Sequence, residues 1–98
     1  MTVYAVGTIK IKNRDEYQKY ADQFFGIFEK FKGTLLAADF NATPVMGEWD
    51  GDRLVLMSFP DKGAFIEWAT SPEYQAIAKH RDAGAEVTTV LANGLEDV

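Results

Sequence analysis

Residues 3–11, VYAVGTIKI, place β-branched and aromatic side chains in near-continuous succession and predict a strand. The period then changes. Asn13 stands where a helix cap belongs, with Glu16 three residues on, the spacing of a capping box. Through RDEYQKYADQFFGIFEKF, the residues Tyr17, Tyr20, Ala21, Phe24, Ile27, Phe28 and Phe31 recur at three- and four-residue steps and form one apolar face. Gly33 sits at the expected end of that helix, and Phe25 lies off its apolar stripe. TLLAADFN (34–41) predicts a second strand, with Leu35, Ala37, Asp39 and Asn41 on one face and Leu36, Ala38 and Phe40 on the other. A turn-rich stretch, 43–52, contains Pro44, Gly47 and Asp50-Gly51. RLVLMSF (53–59) is the third strand, stopped by Pro60.

Asp61 caps a short helix carrying Ala64, Phe65, Trp68 and Ala69. Ser71-Pro72 starts another, with serine at the cap and proline in the first turn, where its missing N–H costs nothing. Gly84 ends it, EVTTVLA (86–92) is the last strand, and GLEDV is expected to be a loose tail. The order β-α-β-β-α-β is that of the ferredoxin-like split fold: one α+β domain over 1–98, an antiparallel sheet with helices on one face. A sheet covered on one side should alternate apolar with polar residues. These strands do not. The third offers Leu54 and Leu56 to one face and Val55, Met57 and Phe59 to the other. The first offers Val3, Ala5, Ile9 and Ile11 to one and Tyr4 and Val6 to the other. A second copy of the chain, packed sheet to sheet, is the economical cover.

Composition sharpens this picture. Hydrophobic residues make up 47% of the 98 and aromatics 13%, rich for so small a core, so shared apolar surface is expected. Ten basic residues are scattered among fifteen acidic ones, for a net charge of −5, which argues against binding to nucleic acid or anionic lipid. Without cysteine there is no disulfide, thiolate nucleophile or thiolate metal site. Neither a signal peptide nor a membrane span is recognised, and a cytoplasmic protein is expected.

Candidate chemistry is sparse. At ~3.6 residues per turn, Tyr74, Ile77, Ala78 and Arg81 share the sheet-facing side of their helix. An arginine there either snorkels to water or meets an anion: a carboxylate such as Asp39 or Glu48, or a ligand's. His80, the lone histidine, has the intrinsic pKa for proton transfer, but a surface pair with Glu73 or water accounts for it equally. Asp39 interrupts an apolar strand, either at a wet strand end or lining a cavity, and Glu48 and Trp49 are placed to rim such a cavity. One histidine and dispersed carboxylates make no metal cluster, and no phosphate loop or nucleophile elbow is present.

The stretch VLMSFPDKGAFIEWATSPEYQAIAKHRDAG resembles a family of small bacterial proteins, the domain-of-unknown-function thirteen-thirty family. The features that carry the resemblance are Phe59-Pro60, Trp68, Ser71-Pro72-Glu73-Tyr74-Gln75, Arg81 and, earlier, Gly47-Glu48-Trp49. The resemblance implies a dimeric α/β barrel in which two ferredoxin-like sheets face each other. It implies no activity. More distant relatives of that fold include cofactor-free oxygenases, haem-degrading enzymes, isomerases and dehydratases, and fold alone does not choose among them.

Three readings follow. The first is a cofactor-independent enzyme on a small anionic or aromatic molecule, with His80 or Asp39 moving a proton and Arg81, Glu48, Trp49 and Tyr74 binding the ligand. The second is a homodimer that binds such a molecule without turnover, and the third a dimer in which Arg81 is purely structural.

Overall fold

The structure, a computed structural model, describes residues 1–95. Residues 96–98, most of the expected loose tail, lie outside the described residues. Strands β1 (Val3–Ile11), β2 (Thr34–Asp39), β3 (Arg53–Phe59) and β4 (Ala85–Asn93) form one sheet. Its order is β2-β3-β1-β4, with every neighbour antiparallel. Helices α1 (Arg14–Phe28), α2 (Lys62–Ala69) and α3 (Pro72–Gly84) fill the two crossovers. The chain measures 39 × 37 × 16 Å, thin because a single helical layer lies on a single sheet. This is the ferredoxin-like α+β architecture expected from the element order.

Local chemistry starts each helix. Asn13 accepts from the Glu16 N–H at 3.2 Å, Asp61 from Ala64 at 2.7 Å and Ser71 from Tyr74 at 3.2 Å, each satisfying a donor of the first turn. Only half of the predicted capping box forms. The Asn13 N–H donates to the Gly84 carbonyl at 3.0 Å, so the Glu16 carboxylate turns outward to Lys19 and His80. Helix α1 ends at Phe28, three residues short of Phe31, where Lys30 and Phe31 donate to Ile27 and Phe28 in tightened turns.

Two glycines are dictated by space. A Cβ on Gly33 would lie 2.5 Å from Phe28 Cζ and 2.6 Å from Phe59 Cε1, so the chain leaving α1 passes directly over two core rings. A Cβ on Gly84 would strike the backbone of Tyr17 and lie 2.9 Å from the Asn13 carbonyl, where α3 meets the start of α1.

The core lies between helices and sheet. Val3, Ala5 and Ile9 of β1 and Met57 and Phe59 of β3 are buried against Tyr17, Tyr20, Phe28, Trp68, Tyr74 and Ile77. Strand β2 departs from strict alternation. Leu35 pairs with Met57, but Ala37 pairs with Leu56, so a bulge inserts Leu36 between them. The extra residue resets the pleat. Leu35 and Ala38, expected on opposite faces, both reach the helix side, while Ala37 and Asp39 share the register of the open side. Leu36 is left 48% exposed.

On the open side, the register aligns Ala37, Leu56, Val6 and Val90 in one row across all four strands. The flanking rows are Thr34–Ser58–Tyr4–Ala92 and Asp39–Leu54–Thr8–Thr88. An apolar stripe bordered by mixed rows therefore runs across the face opposite the helices. No helix among the described residues is long and apolar enough to cross a membrane.

Candidate functional site

A cavity of about 170 Å³ opens between helices and sheet, and its floor explains it. One helix-side row reads Ala38–Val55–Gly7–Thr89, small side chains where neighbouring rows carry Leu35–Met57–Ala5–Leu91 and Arg53–Ile9–Val87. The aromatic stripe of α1 therefore stands off the sheet instead of closing onto it. Phe24, Phe65, Trp68 and Met57 line one part, and Trp68 belongs to a ring cluster with Phe24, Phe28, Phe59 and Phe65 at centroid distances of 5.3–6.0 Å. Tyr74 packs against the same indole at 4.3 Å.

The remainder of the lining is polar. Arg53, the first residue of β3, donates from Nη1 to the Tyr17 hydroxyl at 2.9 Å, with its guanidinium 4.7 Å from the Phe40 ring centroid. Arg81 on α3 donates from Nη1 to the Tyr74 hydroxyl at 2.9 Å, and Tyr74 shares a 2.9 Å hydrogen bond with Tyr20. Tyr17 and Tyr20 lie with centroids 5.6 Å apart. Two guanidiniums thus flank a tyrosine triad, and the lining residues include no carboxylate, imidazole or lysine.

Buried Arg53 Nε and Trp68 Nε1 have no acceptor among the described residues. An unmatched buried donor costs about 1–3 kcal/mol, which makes these two atoms the parts of the cavity most in need of a partner.

Protonation follows from surroundings. Burial, reinforced by Tyr74, pushes the Tyr20 phenol well above its ordinary range, so it stays neutral. Burial opposes the charge on Arg81, but hydrogen bonds from Asp82 and Tyr74 outweigh it, and its pKa is raised on balance. The cavity can therefore fix an anion and stabilise negative charge developing on a bound molecule. Its lining offers no residue suited to act as a general base near neutral pH.

Of the residues singled out in the sequence, Arg81 and Tyr74 line this cavity together. His80, the next residue on the helix, points elsewhere and pairs with Glu16 at 3.0 Å on the surface. Asp39 is exposed and accepts from the Asn41 N–H at 2.7 Å, bracing its own turn. Glu48 is exposed and Trp49 half-buried over Gly51, both outside the lining. Arg81 pairs with neither Asp39 nor Glu48 but with its neighbour Asp82, through Nε at 3.0 Å. Arg53 was missed, although a period of two placed it on the face of Val55, Met57 and Phe59, as anomalous there as Arg81 is on its helix. Among the described residues no three His, Cys, Asp or Glu side chains gather as a metal site.

The family model of a domain of unknown function, DUF1330, matches residues 2–95. The chain belongs to the DUF1330 family. No curated protein matches it. Solved structures share the fold at low identity. A protein of unknown function from Rhodopseudomonas palustris superposes with a TM-score of 0.81 at 17% identity, over 96% of this chain and 82% of that one. A dimeric ferredoxin-like protein of unknown function from Jannaschia sp. CCS1 gives 0.77 at 13%, over 96% and 100%. SnoaB, a cofactor-independent oxygenase from Streptomyces nogalater, gives 0.69 at 14%, over 95% and 92%. At such identities the likeness of this DUF1330 protein to its neighbours is one of fold.

Proposed function

We propose that this DUF1330 protein is a cytoplasmic homodimer that holds a small, aromatic, anionic molecule in the cavity of each subunit. One observation carries the ligand class: two guanidiniums enter an aromatic-walled cavity whose lining residues include no carboxylate to neutralise them. An uncompensated pair of cations in low-dielectric surroundings favours a bound anion. The aromatic walls favour a flat apolar body behind it. The dimer is supported by the stripe Ala37–Leu56–Val6–Val90, which a second sheet would cover, and by the dimeric state of the Jannaschia protein.

Thermal melting against a panel of aromatic carboxylates, alkyl carboxylates and neutral aromatics tests this reading, with Gly7→Val as the control. A Cβ at Gly7 would meet only ordinary contacts at 3.7–3.9 Å, so the larger side chain fills the cavity floor without straining the backbone. Aromatic carboxylates should stabilise the native protein and not the variant. Equal stabilisation of both would place the ligand elsewhere.

A second reading, cofactor-independent turnover, draws on the kinship of fold with SnoaB and on the guanidiniums' ability to stabilise an enolate or phenolate. In it Arg81, Arg53 and Tyr74 hold the substrate's charge, while His80 and Asp39 lie outside the lining and take no proton from it. Oxygen uptake on adding a bound phenol or enol separates turnover from binding.

A further inference from the structure

Resting on that reading, we propose that the ligand is a one-ring aromatic carboxylate bearing a second, uncharged acceptor oxygen. The carboxylate meets Arg53 and Arg81, and the second oxygen meets the indole N–H of Trp68.

Size comes first. A buried cavity of about 150 Å³ accommodates benzene, so about 170 Å³ holds one ring with small substituents and leaves no room for a fused second ring. The number of acceptors follows from the two unmatched donors. Arg53 Nε and Trp68 Nε1 are both buried, Trp68 is only 3% exposed, and both residues line the cavity. A ligand with a single acceptor would leave one of them unmatched.

The charge at each point follows from the neighbours. Arg53 brings its own positive charge, and Arg81 brings another beside Tyr74. Trp68 is surrounded by Phe24, Phe28, Phe59, Phe65 and Tyr74, with no cation against its ring. An anion there would be desolvated without compensation, whereas a neutral hydroxyl or carbonyl oxygen accepts the N–H at little cost.

Calorimetric titration of the native protein with benzoate, meta- and para-hydroxybenzoate, naphthoate and anthracene carboxylate tests the assignment. The ortho isomer is set aside because its hydroxyl bonds its own carboxylate. The better hydroxybenzoate should bind roughly three- to tenfold more tightly than benzoate, the worth of one hydrogen bond. Naphthoate should bind at least about tenfold more weakly than benzoate, the cost of overpacking. Trp68→Phe should erase the hydroxyl advantage and leave benzoate affinity unchanged. Should that variant fail to fold, the two indole N–H proton resonances of the native protein decide, with Trp49→Phe assigning them. The Trp68 resonance must shift more with hydroxybenzoate than with benzoate.

Equal or tighter binding of anthracene carboxylate would overturn the one-ring assignment while leaving an aromatic-anion site standing. Absence of any hydroxyl advantage would overturn the role of Trp68. Failure of every aromatic acid to bind would remove this inference together with the reading beneath it.

Discussion

The two faces of this sheet are built from the same alternating strands, yet they solve different problems. On the helix side, Phe59 is 1% exposed and meets Phe28, Phe65 and Trp68 within its own subunit. Two residues' width away on the open side, Leu56 stands in a row with Ala37, Val6 and Val90 and meets no helix of its own chain. The helix side also tolerates what an ordinary core excludes: guanidiniums, three hydroxyls and two unmatched donors. The open stripe is apolar and chemically plain. Plain apolar surface fits a second copy of the chain, and polar groups set into an aromatic wall fit a ligand.

Substitution on each face separates these roles. Phe59→Ala should cost about 3–5 kcal/mol in denaturant melts, as large-to-small changes in packed cores do. That loss should be the same at any protein concentration. Leu56→Asp should instead convert the dimer to monomer in sedimentation, and its loss of stability should grow on dilution. A dimer that survives Leu56→Asp would detach the open face from assembly.

The helix side should also show itself in titration. The folded-state pKa of Tyr20 is raised above the ordinary phenol value of 10.0, so its contribution is intact below pH 10 and is lost as pH rises, when only the unfolded chain ionises. Tyr20→Phe should flatten that alkaline loss, at a cost near neutrality of about 1 kcal/mol for the missing hydrogen bond to Tyr74.

The smallest effect belongs to the rim. Glu16 is held below its ordinary 4.5 by His80, with help from Lys19. Its contribution is therefore present above pH 4.5 and lost as pH falls through the lower folded value. Glu16→Gln should remove this shallow acid slope, seen in melting temperature from pH 5 downward, and leave ligand affinity untouched. A change in affinity would tie the His80 surface to the cavity.

Much of this was legible in the sequence. The period of two in VYAVGTIKI and RLVLMSF, the caps at Asn13, Asp61 and Ser71, and the order of elements led to the observed topology. Arg81 stood out because a charge interrupted an apolar helical stripe. Arg53 escaped notice because strand-end charges are common, and the register that sets it beside Ile9 and Tyr17 is a tertiary fact. Asp39 seemed to intrude on a covered face only because alternation was counted through β2. The bulge at Leu36, which no local residue signals, reversed the count. The cavity itself could not be read along the chain, since its floor joins Ala38, Val55, Gly7 and Thr89 from four different strands.

The central claim is that the cavity reads negative charge on an aromatic ring. Benzoate and benzamide have nearly the same shape and differ in that charge, so their calorimetric affinities should be compared for the native protein, Arg53→Met and Arg81→Met. Benzoate should bind the native protein at least about tenfold more tightly, as expected for a charge-assisted pair, and each substitution should narrow the gap. Equal binding of the two molecules, or a gap unmoved by both substitutions, would contradict the account.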